Sequence, residues 1–267
     1  MEWNLKEIDT YAKKWIREAG DHIRASFSKT LNVTSKSNPN DLVTDLDKAT
    51  EQFFIKKIKE TYPDHKIIGE EGYGDNVTDL TGTVWIIDPI DGTMNFVHQQ
   101  RNFAISIGIY FDGEGLIGLI YDVVHDELYH CIKGNGVYLN EKPIPKLTEA
   151  KISEAIIALN ATWVAPNKRI DHQLLLPLVK DVRGTRSYGS AAMEMVYVAT
   201  GRIDAYITPR LAPWDIAAGI IMIKELGGKA TNLRGEEVDI LKQNSLFAAK
   251  PGLHGYILRN YLKDGKW

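Results

Sequence analysis

The sequence predicts an α/β protein with α+β character, and two textures along its 267 residues carry that prediction. In the first part, apolar runs such as "TVWIID", "AISIGIYF" and "GLIGLIYD" follow one another across short turns, as antiparallel strands do. In the second part, strand-like runs alternate with helix-like runs, as α/β units do. This divides the chain into an N-terminal half, 1–145, with two helices and a mainly antiparallel sheet, and a C-terminal α/β half, 146–267. No Ser/Gly linker separates the halves, and no internal repeat is visible.

Each element has its own local reason. Leu5, Ile8, Ala12, Trp15, Ile16, Ala19 and Ile23 recur at helical spacing and predict an amphipathic helix over 5–27. The Ser, Asn and Pro of "SKSNPND" (35–41) predict a loop. Thr44 followed by Asp47 is a capping-box-like start to a second helix, "TDLDKATEQFFIKKIKETY". "HKIIGEEGYGD" reads as a short strand running into an acidic, glycine-rich loop, and "DGEG" as the hairpin turn between two long strands. "ELYHCIKGNGVYLN" adds a strand and a Gly-rich turn. In the second half, "EAIIALN", "GTRSYG", "RIDAYIT" and "NSLFAAK" read as strands. "DHQLLLPLVKDV", "SAAMEMVYVATG", "WDIAAGIIMIKELGG" and "GLHGYILRNYL" read as helices.

Composition narrows the function classes. A net charge of −3 without a long Lys/Arg run argues against nucleic acid or an anionic membrane as the main partner. Cys131 is the single cysteine, so neither an intrachain disulfide nor a cysteine metal cluster can form. No apolar run reaches membrane-spanning length and the N-terminus is charged, so a cytoplasmic protein is expected. A Gly-rich Lys-Ser/Thr loop and a Gly-x-Ser-x-Gly elbow are both absent, which disfavours a P-loop kinase and a Ser-His-Asp hydrolase. The histidines show no His-Glu-x-x-His pattern, so His98, His125 and His130 read as structural or exposed, and the Met193, Met195, Val196 stripe as helix packing.

The informative segment is "WIIDPIDGTMNFVH" (85–98). Val84 to Ile87 predict a buried strand that Asp88 ends, and Pro89 blocks pairing and forces a turn. Two readings stand. Asp88 caps the strand and Asp91-Gly92 is a plain turn. Alternatively, both carboxylates and the Ile90 carbonyl point to one side, where they suit a hard cation such as Mg²⁺. Gly92 permits close backbone approach, and the N–H groups at Thr93 suit a phosphate. Glu70 and Glu71 in "IIGEEG" and Asp215 in "APWDIAAG" end or open other apolar elements, so three acidic clusters can converge on one cleft.

With "NPNDLVTDLD", "IIGEEG", "WIIDPIDGTMNFVH", "TRSYGSAAMEMVYVATGRIDAY" and "PWDIAAGIIMIKELGG" in order over residues 36–228, the sequence resembles the inositol monophosphatase family of lithium-sensitive, Mg²⁺-dependent phosphatases. The resemblance implies a layered α-β-α-β-α sandwich of the inositol monophosphatase / fructose-1,6-bisphosphatase type, usually a homodimer. It implies hydrolysis of inositol monophosphate by metal-activated water with two or three Mg²⁺. Glu70, Asp88 and the Ile90 carbonyl look like the first metal site; Asp88, Asp91 and Asp215 look like the second. Glu70 would also face a third, weaker ion. Thr93 with Asp47 looks like the pair that orients and activates the attacking water. Gly92 and Thr93 look like backbone donors to the phosphate, and Lys36 like a residue that closes over the metals. Asp91 and Ala191 fit sugar-side contacts, with Gly189 and Ser190 forming the turn beside them.

The substrate side departs from the pattern. Relatives with strong inositol preference carry a glutamate where this chain has Thr208, and Arg210 lies nearby. That combination fits a substrate with a second phosphate, such as fructose 1,6-bisphosphate, a nucleotide 3′-phosphate or NADP. Arg210 reads equally as a surface arginine, Arg186 as a residue that holds the 189–190 turn or reaches across a dimer interface, and Trp214 as packing at a helix start. A regulatory binding protein on the same scaffold is the alternative outside enzymes.

Overall fold

The computed structural model describes residues 5–28, 32–35 and 42–266. The first helix, α1 (Leu5–Arg24), ends three residues earlier than its periodicity predicts, the chain continuing as turns to Ser28. Strands β1 (Val33–Ser35) and β2 (Leu42–Thr44) pair as a small antiparallel ribbon. Helix α2 (Asp45–Thr61) starts at the expected capping box: Thr44 caps it, and Asp47 accepts from the Thr44 backbone.

A seven-stranded sheet follows, from β3 (Lys66–Gly69), β4 (Thr83–Asp91), β5 (Ala104–Phe111), β6 (Glu114–Asp122), β7 (Glu127–Ile132), β8 (Val137–Leu139) and β9 (Lys142–Ile144), in that spatial order. Only β3–β4 is parallel; the other pairs are antiparallel, as the apolar runs predict. A short helix, α3 (Thr93–Gln99), interrupts the sheet between β4 and β5.

The second sheet is mixed. In order it runs β11 (Gly184–Arg186), β10 (Ile156–Leu159), β12 (Ala205–Leu211), β14 (Asn244–Ala249) and β13 (Lys229–Thr231). Three residues at β13 are too few to show a period, so the sequence does not predict it. The predicted helix over "DHQLLLPLVKDV" is shorter: a 3₁₀ turn at His172–Leu174 and then α4 (Leu175–Asp181). Pro177 lacks the N–H that a continuous helix would use there.

Alternation along the strands builds three cores. Trp85 and Ile87 pack with α1 and α2, while Val84 and Ile86 face the opposite way. That opposite face meets α5 (Ala191–Ala199) and α6 (Pro213–Glu225), which also cover Tyr206, Leu246 and Ala248 of the second sheet. Ala205, Ile207, Phe247 and Ala249 point outward to α4 and α7 (Leu253–Asn260). The order helix, sheet, helix, sheet, helix is therefore the expected five-layered sandwich. The middle layer lies unusually close to the first sheet. A Cβ on Gly108 would stand 2.7 Å from Ala217 Cβ, and one on Gly118 would stand 2.7 Å from the Ala218 carbonyl oxygen. That proximity carries the start of α6 to the end of β4.

Candidate metal and phosphate site

The end of β4 departs from the expected turn. The strand continues to Asp91, but the ladder to β5 pairs Asp88 with Ser106 and then Asp91 with Ala104. Pro89 and Ile90 thus oppose Ile105 alone, a one-residue bulge. Pro89 has no N–H to give the ladder. The bulge matters because residues three apart on a regular strand face opposite sides. One extra residue restores the phase and puts Asp88 and Asp91 on the same side. Ile90 N–H donates to Asp88 Oδ1 at 3.0 Å and fixes the bend.

Asp215 arrives from α6, where Ala212 N–H donates to its Oδ2 at 2.7 Å. Asp88, Asp91 and Asp215 each bring a carboxylate oxygen within 4.8 Å of the others. Glu70 follows β3 on the parallel neighbour of β4; it stands at the edge of this trio and hydrogen-bonds Asp88. Its loop is braced from beneath by Glu51 of α2, which accepts from Glu71 N–H at 2.7 Å and Tyr73 N–H at 2.9 Å.

Burial pushes Asp88 and Asp215 well above the usual carboxylate range, and the negative charge of their neighbours adds to it. Asp91 is pushed up to about 6 by burial, against donors from Ser190 and Ala192. Such a cluster is costly without a cation. All its donors are carboxylate oxygens, with the Ile90 carbonyl alongside, which fits Mg²⁺ and not a soft metal.

Thr93 opens α3 behind Gly92, whose φ is +94°. A Cβ there would meet Ser190 Cβ at 3.1 Å and the Asn102 carbonyl oxygen at 3.2 Å, so only glycine lets the backbone pass. The Thr93 hydroxyl lies 3.0 Å from both Asp47 Oδ1 and the Ile90 carbonyl oxygen. Asp47 Oδ2 is occupied by the Thr44 N–H and hydroxyl. Asp47 is therefore at once a helix cap and the hydroxyl's acceptor. Burial raises its pKa, and the Thr44 and Thr93 hydrogen bonds pull it back.

Beside the trio lies a cavity of about 230 Å³ whose walls include Asp91, Gly189, Ser190, Ala191, Glu194 and Thr208. Ser190 caps α5 and its hydroxyl donates a hydrogen bond to Asp91 Oδ2, and Ala192 N–H donates to the same oxygen at 2.7 Å. Thr208 is buried. Arg210 sits exposed in the irregular pairing between Thr208 and Leu211 and is not among the residues lining the cavity. Arg186 is exposed on edge strand β11, its guanidinium donating to the Thr185 carbonyl at 2.8 Å. Lys36 lies outside the described residues. Trp214 packs against the middle core. Two residues escaped the sequence reading, Glu51 and Glu194. Each is a buried carboxylate that accepts backbone N–H groups. The signal for Glu194 was present: it is the one acidic residue inside the apolar helix "AAMEMVYVA".

Comparison with known proteins gives this geometry its context. The sequence pattern of the inositol monophosphatase family matches residues 4–263. The inositol-1-monophosphatase of Bacillus subtilis (strain 168) is 62% identical over 263 residues, 98% of this chain and 99% of that protein. The crystal structure of inositol monophosphatase II from Staphylococcus aureus MSSA476 matches with 46% identity and a TM-score of 0.88, over 96% of this chain and 94% of that one. Structures of SaIMPase-II with inositol monophosphate and with 2′AMP bound match at 44% and 45% identity, with TM-scores of 0.86 and 0.88; each covers 96% of this chain, and the matches span 94% and 95% of those chains. An IMPase/NADP phosphatase complexed with Mg²⁺ and phosphate matches at 28% identity and a TM-score of 0.89, over 96% of this chain and 95% of that one. With a match running almost from end to end, this chain belongs to the inositol monophosphatase family.

Proposed function

We propose that the protein is a Mg²⁺-dependent phosphomonoesterase that hydrolyses inositol monophosphate to inositol and phosphate. The observation that carries this is the trio Asp88, Asp91 and Asp215, two of them buried and the third half-buried, three carboxylates that repel one another when ionised unless a cation lies between them. Glu70, Asp88 and the Ile90 carbonyl would hold one ion; Asp88, Asp91 and Asp215 would hold another. Glu70 offers a further position, giving two or three ions in all. When bound, Mg²⁺ neutralises the phosphate, acidifies water and stabilises the leaving oxygen.

The chain's own residues supply the rest. The Thr93 hydroxyl donates to Asp47 Oδ1 at 3.0 Å, which leaves its oxygen lone pairs to accept from a water. A proton taken from that water passes through the hydroxyl to Asp47, which is why the raised pKa of Asp47 suits it. The Ile90 carbonyl oxygen also lies 3.0 Å from the Thr93 hydroxyl; with that single proton given to Asp47, its lone pairs would be left for a cation. Gly92 and Thr93 present backbone to the phosphate. Gly189, Ser190, Ala191 and Thr208 line the space for the alcohol portion, with Asp91 as the acceptor shared between metal and sugar. The two halves, 1–145 and 146–267, would then meet at the site, one supplying most metal ligands and the other Asp215 and the substrate wall.

A broader substrate range is the second reading, favoured by the buried Thr208 and by the 2′AMP bound to SaIMPase-II. Sensitivity to lithium, a homodimer and a cytoplasmic location complete the proposal; among the described residues no helix is long and apolar enough to cross a membrane. The test is phosphate release with and without Mg²⁺ from inositol 1-phosphate, fructose 1,6-bisphosphate, adenosine 3′,5′-bisphosphate and NADP. Preference for inositol 1-phosphate is expected. Preference for a second-phosphate substrate establishes the broader reading, and no Mg²⁺-dependent release from any of them removes the proposal.

A further inference from the structure

Glu194 is buried, yet it belongs to neither the metal trio nor the Thr93–Asp47 pair. Its Oε1 accepts from two consecutive backbone groups, Tyr188 N–H at 2.7 Å and Gly189 N–H at 3.4 Å. Those groups belong to the turn that leads into α5, where Gly189 takes a φ of +78°. The opposite side of the turn is tied to the first half of the chain. Asn95 Nδ2 donates to the Tyr188 carbonyl at 2.7 Å and to the Asn102 carbonyl at 2.8 Å. The turn is therefore clamped by a carboxylate from behind and by an amide from in front.

What the clamp fixes is Ser190. Its hydroxyl and the Ala192 N–H both point at Asp91 Oδ2. Two donors on one oxygen, with the Ala191 N–H as a further donor to the carboxylate, set the rotation of the Asp91 carboxyl group. The hydroxyl of Tyr206 hydrogen-bonds Glu194 as well, so the same carboxylate also reaches the wall of the substrate cavity.

We infer that Glu194 is a positioning residue for metal binding: it holds the 188–190 turn so that Ser190 and Ala192 aim the Asp91 carboxyl group at the cation. In this role Glu194 does not ligate the metal, although it also lines the cavity. Its effect passes through the turn, as outer hydrogen-bond partners orient ligands in other metal sites. The inference rests on the metal-dependent phosphatase reading above. A carboxylate that merely capped α5 would contribute to stability and leave metal affinity alone, and the two roles separate on that point.

The experiment titrates the metal-free full-length protein with Mn²⁺ by electron paramagnetic resonance, at a temperature well below unfolding. The Mg²⁺ dependence of phosphate release is recorded in parallel. Glu194→Ala is expected to weaken one Mn²⁺ binding step by about 10- to 100-fold and to raise the Mg²⁺ half-saturation similarly. Glu194→Gln keeps an oxygen for both N–H groups and restores Mn²⁺ affinity to within about threefold. Glu194→Asp keeps the charge but shortens the arm, and it behaves like the alanine variant. An unchanged Mn²⁺ isotherm in Glu194→Ala, or a glutamine variant as impaired as alanine, overturns the inference. Should Glu194→Ala not fold, the Asp and Gln variants decide: weak binding with Asp and near-normal binding with Gln supports it, and the reverse overturns it. A parent protein that binds Mn²⁺ and releases phosphate while Glu194→Ala matches it removes this inference alone. A parent that does neither removes the phosphatase reading itself.

Discussion

The acidic floor and the wall of the cavity beside it are built in opposite ways. The floor concentrates Asp88, Ile90, Asp91, Gly92 and Thr93 in six consecutive residues, and two short motifs add Glu70 and Asp215. The wall draws on Gly189, Ser190, Ala191 and Glu194 and on Tyr206 and Thr208, with few ionisable groups among them. Burying carboxylates is expensive, so a chain that does so leaves an unmistakable local pattern. Shaping a cavity with turns, small residues and a threonine costs little and leaves almost none. Reaction type is therefore written more legibly than substrate choice.

The hardest way to break the floor is to neutralise one member without changing its shape. Asp215→Asn keeps an oxygen for the Ala212 N–H and removes one charge from the trio. Loss of several kcal/mol of transition-state charge stabilisation corresponds to a fall of about 10³-fold or more in kcat/KM with Mg²⁺. Asp91→Asn is expected to do the same. The metal-free melting temperature should not drop in Asp215→Asn, because the repulsion it removes opposes folding. Steady-state kinetics and thermal melts check both halves, and retained activity in either variant undoes the metal assignment.

A milder perturbation uses protons. Burial raises Asp91 to about 6 and pushes Asp88 and Asp215 well above the usual carboxylate range in the metal-free fold. Between the unfolded carboxylate value and these raised values, the folded state holds more protons than the unfolded one. Metal-free stability from this trio therefore falls as pH rises through that window. Mg²⁺ must displace those protons, so it binds more weakly as pH falls through 6. The rise in melting temperature caused by Mg²⁺ should be large at pH 7.5 and shrink progressively toward pH 5. A rise that is the same at both values would mean that the trio is not where Mg²⁺ binds.

The same contrast explains what the sequence could and could not reveal. Periodicity located α1, and the Thr44–Asp47 spacing located the start of α2, because both signals are local. The alternation of β4 to β6 located the sheet. The bulge at Pro89 and Ile90 was read as a turn, since a proline that cannot pair looks the same in either setting. Only the partner strand distinguishes them. Glu51 was invisible because a helix glutamate under another loop has no sequence neighbour to betray it. Glu194 was hidden in plain view within an apolar helix, where the methionines and valine around it read correctly as packing. Thr208 and Arg210 were joined in one reading because they are two residues apart, yet the cavity takes Thr208 and leaves Arg210 outside.

Arg210 offers the smallest and sharpest test of the wall. It is exposed and lies in the chain between Thr208 and Leu211, which both line the cavity, without lining it itself, so it is a candidate for the rim. An inositol monophosphate seated against Ser190 and Thr208 carries no second phosphate to reach that rim. Arg210→Ala should therefore leave kcat/KM for inositol 1-phosphate within about twofold, the usual scale of an exposed charge. A second phosphate projecting from the cavity would meet the guanidinium in solvent, where such a pair is worth about fivefold at most. The ratio of kcat/KM for adenosine 3′,5′-bisphosphate to that for inositol 1-phosphate measures this directly. A fall in the ratio confined to the bisphosphate makes Arg210 a rim contact. An equal loss on both substrates means that Arg210 supports the wall itself, and the boundary between floor, wall and rim has to be redrawn around it.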